Sequence, residues 1–206
     1  MTEFYTKAVT ELKSIYDSLN RDYYENKLPE VVITVQSSPK GKAYGWYAKD
    51  RWGIEADKEK AFDEINISAE YLSRPIENIV STMQHEMIHL YCAVNDIKDT
   101  SNNNVYHNKK FKEEAEKRGL SIEKAQTIGW SVTTPTDEFV GYIKDLGVGK
   151  DAFRFFRKMP FGKVKVTKTT KKTTKYTCPC CEISVRGETD LEIECKKCGV
   201  LMESKH

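Results

Sequence analysis

Long apolar runs are missing from this sequence. No stretch approaches the ~20 consecutive apolar residues of a membrane-spanning helix, and no membrane partner is expected. A secretion signal is missing too: the chain starts Met-Thr-Glu-Phe-Tyr-Thr-Lys, with no basic start and no apolar core behind it. Both absences point to a cytoplasmic protein, free to associate with the nucleoid. Histidine is scarce, with four in 206 residues. Cysteine is scarce as well, at six, and in a reducing compartment such cysteines read as metal ligands before disulfides. Net charge is only +2, but it is unevenly spread. Residues 1–156 hold 21 Lys/Arg against 25 Asp/Glu, a net of −4, and residues 157–206 hold 12 against 6, a net of +6. The C-terminal part is the one suited to a polyanion.

The length accommodates one domain of about 150 residues and a small appendage. Phe4, Ala8, Leu12, Ile15, Tyr16 and Leu19 recur at helical spacing and predict a helix over 3–25. Asn26-Lys27-Leu28-Pro29 ends it. Strands are expected at 31–35, 42–49 and 64–68, from β-branched content, aromatics and alternation. A second long helix runs from Pro75 to Val94, with Ile76, Ile79, Val80, Met83, Met87, Leu90 and Val94 as its core stripe. A polar loop follows at 95–105, then a helix from His107 to Arg118, closed by Gly119. Further on, 128–132 reads as a short strand and 135–146 and 151–157 as short helices. Phe153, Phe155 and Phe156 read as packing residues. The segment 157–175 carries eight basic residues and no acidic one. Its Lys163–Lys168 part alternates like an edge strand, and the Thr/Lys run reads as a linker.

Two groups of residues carry chemistry. The first is His85-Glu86-Met87-Ile88-His89. On a helix, positions i and i+4 share a face, so two imidazoles can hold one metal ion. Glu86 then lies where its carboxylate can take a proton from a water at the metal. A third ligand is needed, and His107, 18 residues after His89, is the candidate. His206 is the last residue of the chain. The plain alternative is three ordinary histidines, but three of only four fall within 23 residues beside a glutamate at the required offset.

The second group is Cys178-Pro179-Cys180-Cys181 with Cys195-Lys196-Lys197-Cys198, 13 residues separating Cys181 from Cys195. Paired Cys-x-x-Cys knuckles read as a four-cysteine zinc ribbon with Cys178, Cys181, Cys195 and Cys198 as ligands. Cys180 is an alternative to Cys181, or a free thiol. Strands at 183–186 and 191–194 would flank Gly187. So small a unit has little core, and the metal would hold it folded. Cys92 reads as a small buried side chain.

These residues resemble the SprT-like zinc metalloproteases, which include the eukaryotic Spartan proteases. The resemblance starts at Leu19-Asn20-Arg21-Asp22-Tyr23-Tyr24 and Lys27-Leu28-Pro29, and continues through Ile65-Asn66-Ile67-Ser68 and His85–Leu90. It takes in His107-Asn108-Lys109-Lys110-Phe111 and the C-terminal ribbon. The family's His-Gly-x-x-Phe has Asn108 in place of its glycine here. The resemblance implies an α+β, minigluzincin-like fold: an N-terminal helix, a short three-stranded sheet and the HExxH helix, plus the small zinc ribbon. It implies zinc ligands at His85, His89 and His107 and a catalytic base at Glu86. It also implies a taste for DNA-associated or DNA-crosslinked proteins, since Spartan-type relatives cleave proteins crosslinked to DNA and DNA stimulates them.

The expected organisation is thus a metallopeptidase domain over 1–156, a basic linker over 157–175 and a ribbon over 176–206. It carries two zinc ions, one catalytic and one structural. DNA would be held by the linker and ribbon, whose lysines give salt-sensitive, sequence-independent affinity. An extended substrate could lie against the strand at 64–68 if that strand is an edge. Tyr91 and Tyr106 are candidate oxyanion donors by their nearness in sequence. The rival expectation is a non-enzymatic, nucleic-acid- or transcription-associated zinc protein with a vestigial protease site.

Overall fold

The computed structural model describes residues 2–38, 43–149, 151–158 and 173–205. The chain divides into two compact units, Met1–Lys158 and Met159–His206.

The first unit opens with helix α1 (Glu3–Tyr24), whose Ala8, Leu12, Ile15, Tyr16 and Leu19 are buried. That stripe is the core face its periodicity demands. Phe4, expected in the stripe, is instead exposed and stacks on Phe155 at 6.4 Å. Glu25 and Asn26 take left-handed backbone and end the helix. The Asn20 side chain then exchanges two hydrogen bonds with the Leu28 backbone, each 3.1 Å, pinning the chain's exit.

Strands β1 (Val32–Thr34), β2 (Gly45–Ile54) and β3 (Asp57–Ile67) form a sheet in the order β1-β3-β2. β1 runs parallel to β3, and β2 antiparallel. Two expectations are corrected here. β2 and β3 form a hairpin reaching to Ile54 and Asp57, well past the expected strands. Its outer half is charged and exposed, with no apolar alternation to announce it. The strand at 64–68 is also no edge: β3 lies in the middle, with β1 and β2 as the two edges.

A 3₁₀ turn at Ala69–Tyr71 leads into helix α2 (Ile76–Val94). Pro75 caps it, at a place where a missing N–H costs nothing. Ile79, Val80, Met83, Met87 and Leu90 are buried. Val94, at the end of the expected stripe, is exposed. Helix and strand pack tightly at Gly45. A Cβ there would stand 2.7 Å from the Asn66 carbonyl oxygen and 2.9 Å from Thr82 Cγ2. Only a glycine lets β2 approach α2 this closely.

A second sheet completes the unit, from β4 (Thr100–Ser101), β5 (Tyr106–His107), β6 (Leu120–Ala125) and β7 (Gly129–Pro135). Its order is β4-β5-β7-β6. Between β4 and β5, Asn102, Asn103 and Asn104 all adopt positive φ, which asparagine tolerates better than most residues. Helices α3 (Lys109–Glu116) and α4 (Asp137–Asp145) add Phe111, Ala115, Phe139 and Ile143 to the core. No helix forms at 151–157. Phe153 is buried there, but Phe155 and Phe156 are exposed.

Behind α2, the buried Arg118 guanidinium lies 3.9 Å from the Tyr91 ring and 4.9 Å from that of Tyr24. Gln84 joins the Tyr24 hydroxyl (3.1 Å) to the Arg118 carbonyl (2.9 Å). This polar knot fixes the rotation of α2 about its axis. The helix's other flank is thereby directed at the cleft.

In the second unit, β8 (Thr174–Thr177), β9 (Ser184–Gly187) and β12 (Glu203–Lys205) pair in the order β12-β8-β9. The short β10 (Glu194–Cys195) and β11 (Val200–Leu201) pair with each other. The expected strand at 183–186 is β9. The one at 191–194 is largely absent, and Leu191 is exposed. Thr174 and Lys175, expected in the linker, belong to β8. The expected edge strand Lys163–Lys168 lies outside the described residues. Among the described residues, no helix is long and apolar enough to cross a membrane.

Candidate metal centres

His85, Glu86 and His89 project from α2 toward a cleft of about 1080 Å³. The third histidine arrives differently from expectation. His107 does not open a helix but ends β5, paired in parallel with Gly129 of β7. Gly129 has φ 73°, and a Cβ there would stand 2.2 Å from the His107 carbonyl oxygen, so glycine is required for this pairing. Asn108, the residue that departs from the family pattern, caps α3. Its Oδ1 accepts from Lys110 N (2.7 Å) and Phe111 N (3.3 Å), and its Nδ2 donates to the Lys98 carbonyl (2.7 Å). A glycine could make none of these three bonds.

The geometry fits zinc. His107 Nε2 lies 3.3 Å from His85 Nε2 and 3.1 Å from His89 Nε2. Nitrogens ~2.05 Å from a tetrahedral ion stand about 3.3 Å apart. All three Nδ1 atoms turn outward to separate supports. His85 meets Thr133 Oγ1 at 2.8 Å, His89 meets Asp99 Oδ2 at 2.5 Å, and His107 meets the Ile128 carbonyl at 3.3 Å. Such contacts fix tautomer and ring orientation with Nε2 facing the metal. The Phe111 ring lies beneath all three imidazoles at centroid distances of 4.6, 4.7 and 4.7 Å. Burial, reinforced by the neighbouring histidines, drives His85 well below the usual imidazole range, and burial holds His107 down to about 4. Neutral rings are what a metal ion needs.

Glu86 is 6% exposed. Burial lifts its carboxyl to about 7, opposed by His89 and by the Tyr47 backbone N–H that donates to it. Neither expected oxyanion donor lines the cleft. Tyr91 packs behind α2 against Arg118, and the Tyr106 ring lies over Gly129. Asp99, Thr133 and the Tyr47 backbone are additions that spacing did not reveal. They reach the site from loops and strands through single contacts, and no period marks them.

Cys178, Cys181, Cys195 and Cys198 come together with all Sγ atoms within 4.8 Å. Cys181 Sγ and Cys195 Sγ are 3.7 Å apart, and sulfurs ~2.3 Å from a tetrahedral zinc stand about 3.8 Å apart. The two knuckles fold alike. Glu182 N bonds the Cys178 carbonyl at 3.0 Å and Gly199 N bonds that of Cys195 at 2.7 Å. Glu182 and Gly199 have φ 60° and 65°. Backbone N–H groups of Cys181 and Cys180 bring the Cys178 thiol down to about 7. Cys180 itself is exposed and outside the group of four. Cys92 is buried in the main core, where burial pushes its thiol up to about 12.

The model of the SprT-like family matches residues 12–128. This chain belongs to the SprT-like family. Searches of curated proteins and of solved structures returned no match. The family match spans the HExxH helix and His107, which marks the SprT-like unit as a metallopeptidase-type domain. It stops before Thr133, α4 and the four cysteines, whose zinc-ribbon character rests on their own geometry.

Proposed function

We propose that this SprT-like protein is a zinc-dependent metalloendopeptidase acting on DNA-associated or DNA-crosslinked proteins. The observation that carries the reading is the convergence of three imidazole Nε2 atoms beside a buried carboxylate, in an open cleft bordered by a free strand edge. His85, His89 and His107 would hold the catalytic zinc, and Cys178, Cys181, Cys195 and Cys198 a structural one. Zinc in the histidine centre supplies Lewis acidity, bringing the pKa of a water there to about 7 and polarising a peptide carbonyl. Glu86 would take the proton of an attacking water and return it to the departing amine. Its carboxylate is held for both steps by the Tyr47 N–H.

The substrate chain lies extended along β2, the edge strand that lines the cleft. Backbone pairing with that edge reads few side chains, which suits a protease of broad sequence preference. A nucleic-acid role is supported by charge. The +6 surplus lies wholly in residues 157–206, with Lys196 and Lys197 inside a knuckle. Such a tether raises the local concentration of DNA-bound substrate.

The test compares wild type with Glu86→Gln on a DNA–protein crosslink, with zinc content measured in parallel. The variant keeps both metal ions and loses cleavage by about 10²- to 10⁴-fold. Equal inertness of the two fully loaded proteins would leave the rival reading, a binding protein with a vestigial site.

A further inference from the structure

Arg74 brings a cation to the wall of the catalytic cleft, and no carboxylate comes with it. Its Nε donates to the Tyr71 carbonyl and its Nη2 to Thr82 Oγ1, each at 3.0 Å. The guanidinium carbon lies 4.1 Å over the Tyr44 ring and 5.8 Å from that of Tyr71. Those two rings meet edge to face at 4.8 Å and hold it in place. Every one of these partners is uncharged. Among the described residues no ion pair includes Arg74. Two of its five N–H groups are used in these bonds, and Nη1 makes neither of them.

The charge also stays where most arginines would not leave it. Desolvation lowers the guanidinium's hold on its proton, yet it remains charged at any physiological pH. A half-buried, pre-oriented, unpaired guanidinium is a receptor for a carboxylate, which it can grip through two parallel hydrogen bonds.

Its position says which part of a substrate would reach it. Thr82, its anchor, lies one helical turn before Glu86, about 6 Å along the axis. On the strand side the step runs the same way, from Tyr47, whose N–H holds Glu86, back three residues to Tyr44, just before β2, which stacks on Arg74, about 10 Å of extended chain. A chain paired antiparallel to β2 runs toward Tyr44 after passing Glu86. At ~3.4 Å per residue, it reaches Arg74 two or three residues beyond the bond being cut.

We infer that Arg74, bracketed by Tyr44 and Tyr71, is a subsite for a carboxylate on the leaving-amine side of the scissile bond. The group is an Asp or Glu side chain, or the free C-terminus of a short substrate. This inference rests on the peptidase reading and names the substrate feature which that site selects.

The experiment has a binding arm and a turnover arm. Zinc-loaded Glu86→Gln protein, which cannot turn substrate over, is titrated with labelled peptides. They carry Glu or Gln two or three residues after the reference bond, and end in a free acid or an amide. Wild type is assayed on the same peptides. The Glu peptide binds and is cleaved on the order of 10- to 100-fold better than the Gln peptide. In an Arg74→Gln background that ratio falls to about one. Arg74→Lys, which keeps charge but loses the fork, leaves an intermediate ratio and guards against misfolding of the first variant. A preference for free acid over amide ends, with no Glu/Gln difference, assigns the subsite to the chain terminus. Equal binding of all four peptides overturns the inference, even where wild type cleaves them. So does an oligonucleotide that competes in an Arg74-dependent way with no Glu or terminal preference, since the group bound is then phosphate. Selective binding without any cleavage by wild type leaves the subsite standing and removes the peptidase reading.

Discussion

Around His85, His89 and His107 stands a continuous apolar core, to which α1, α2, α3 and α4 all contribute buried side chains. Around Cys178, Cys181, Cys195 and Cys198 the buried set is Tyr176 and Met202 together with Cys178 and Cys195 themselves. In the first unit the fold makes the site. In the second, two of the cysteines are themselves half of that buried set, and a unit of this size is expected to need a metal to hold it folded. The coordination differs to match. Four thiols would close a tetrahedron around a metal and leave no room for chemistry, while three imidazoles would leave one position free.

Removing the metal is the strongest way to break this contrast. With a chelator present, residues 173–205 lose protection from hydrogen exchange throughout, a loss of ~10 kcal/mol or more of apparent stability. The first unit stays folded. Exchange measured across both units checks this, and joint unfolding would mean that the histidine centre is as structural as the cysteine one. Asp99→Asn sharpens the comparison more gently. The His89 ring keeps a hydrogen-bonding partner but loses its anionic one. Metal affinity at the histidine centre falls about 10- to 100-fold, with the cysteine centre unchanged. Competition against a chromogenic chelator resolves the two. The smallest expected effect is that of Asn108→Gly, which restores the family's usual residue. Losing the cap and the tether to Lys98 costs about 1 kcal/mol, a fall of ~2–4 °C in the melting temperature of the first unit only.

The legible parts of this molecule are those with a period or a fixed spacing. The α1 and α2 stripes, the His85/Glu86/His89 triplet and the paired cysteine knuckles all follow from residue type at regular intervals. His107 was identifiable as a partner because histidine is so rare here. Its placement on a strand was not, since a two-residue strand has no pattern and depends on Gly129 opposite. The outer β2–β3 hairpin is hidden by its charge. Its strands are held by backbone pairing and bury almost nothing. Asp99 and Thr133 are invisible for a different reason, each acting through one contact between separate elements, and Arg74 is set by contacts to Tyr71, Thr82 and Tyr44 that share no period. Proximity in sequence misled at Tyr91 and Tyr106, because the rotation of α2 and the closure of β5 on β7 carry both rings away from the cleft.

The three imidazoles rest on Asp99, Ile128 and Thr133, and the strand bearing His107 rests on Gly129. Two ligands and the base are laid down together on α2, but every support of the three imidazoles comes later in the chain. A polypeptide that ends between His107 and Ile128 holds all three histidines but keeps only the Asp99 support of His89. The aiming of the three imidazoles is therefore complete only once β7 is in place. On the peptidase reading proposed above, a half-made chain would be unable to cut its own unfolded segments until its final sheet has closed.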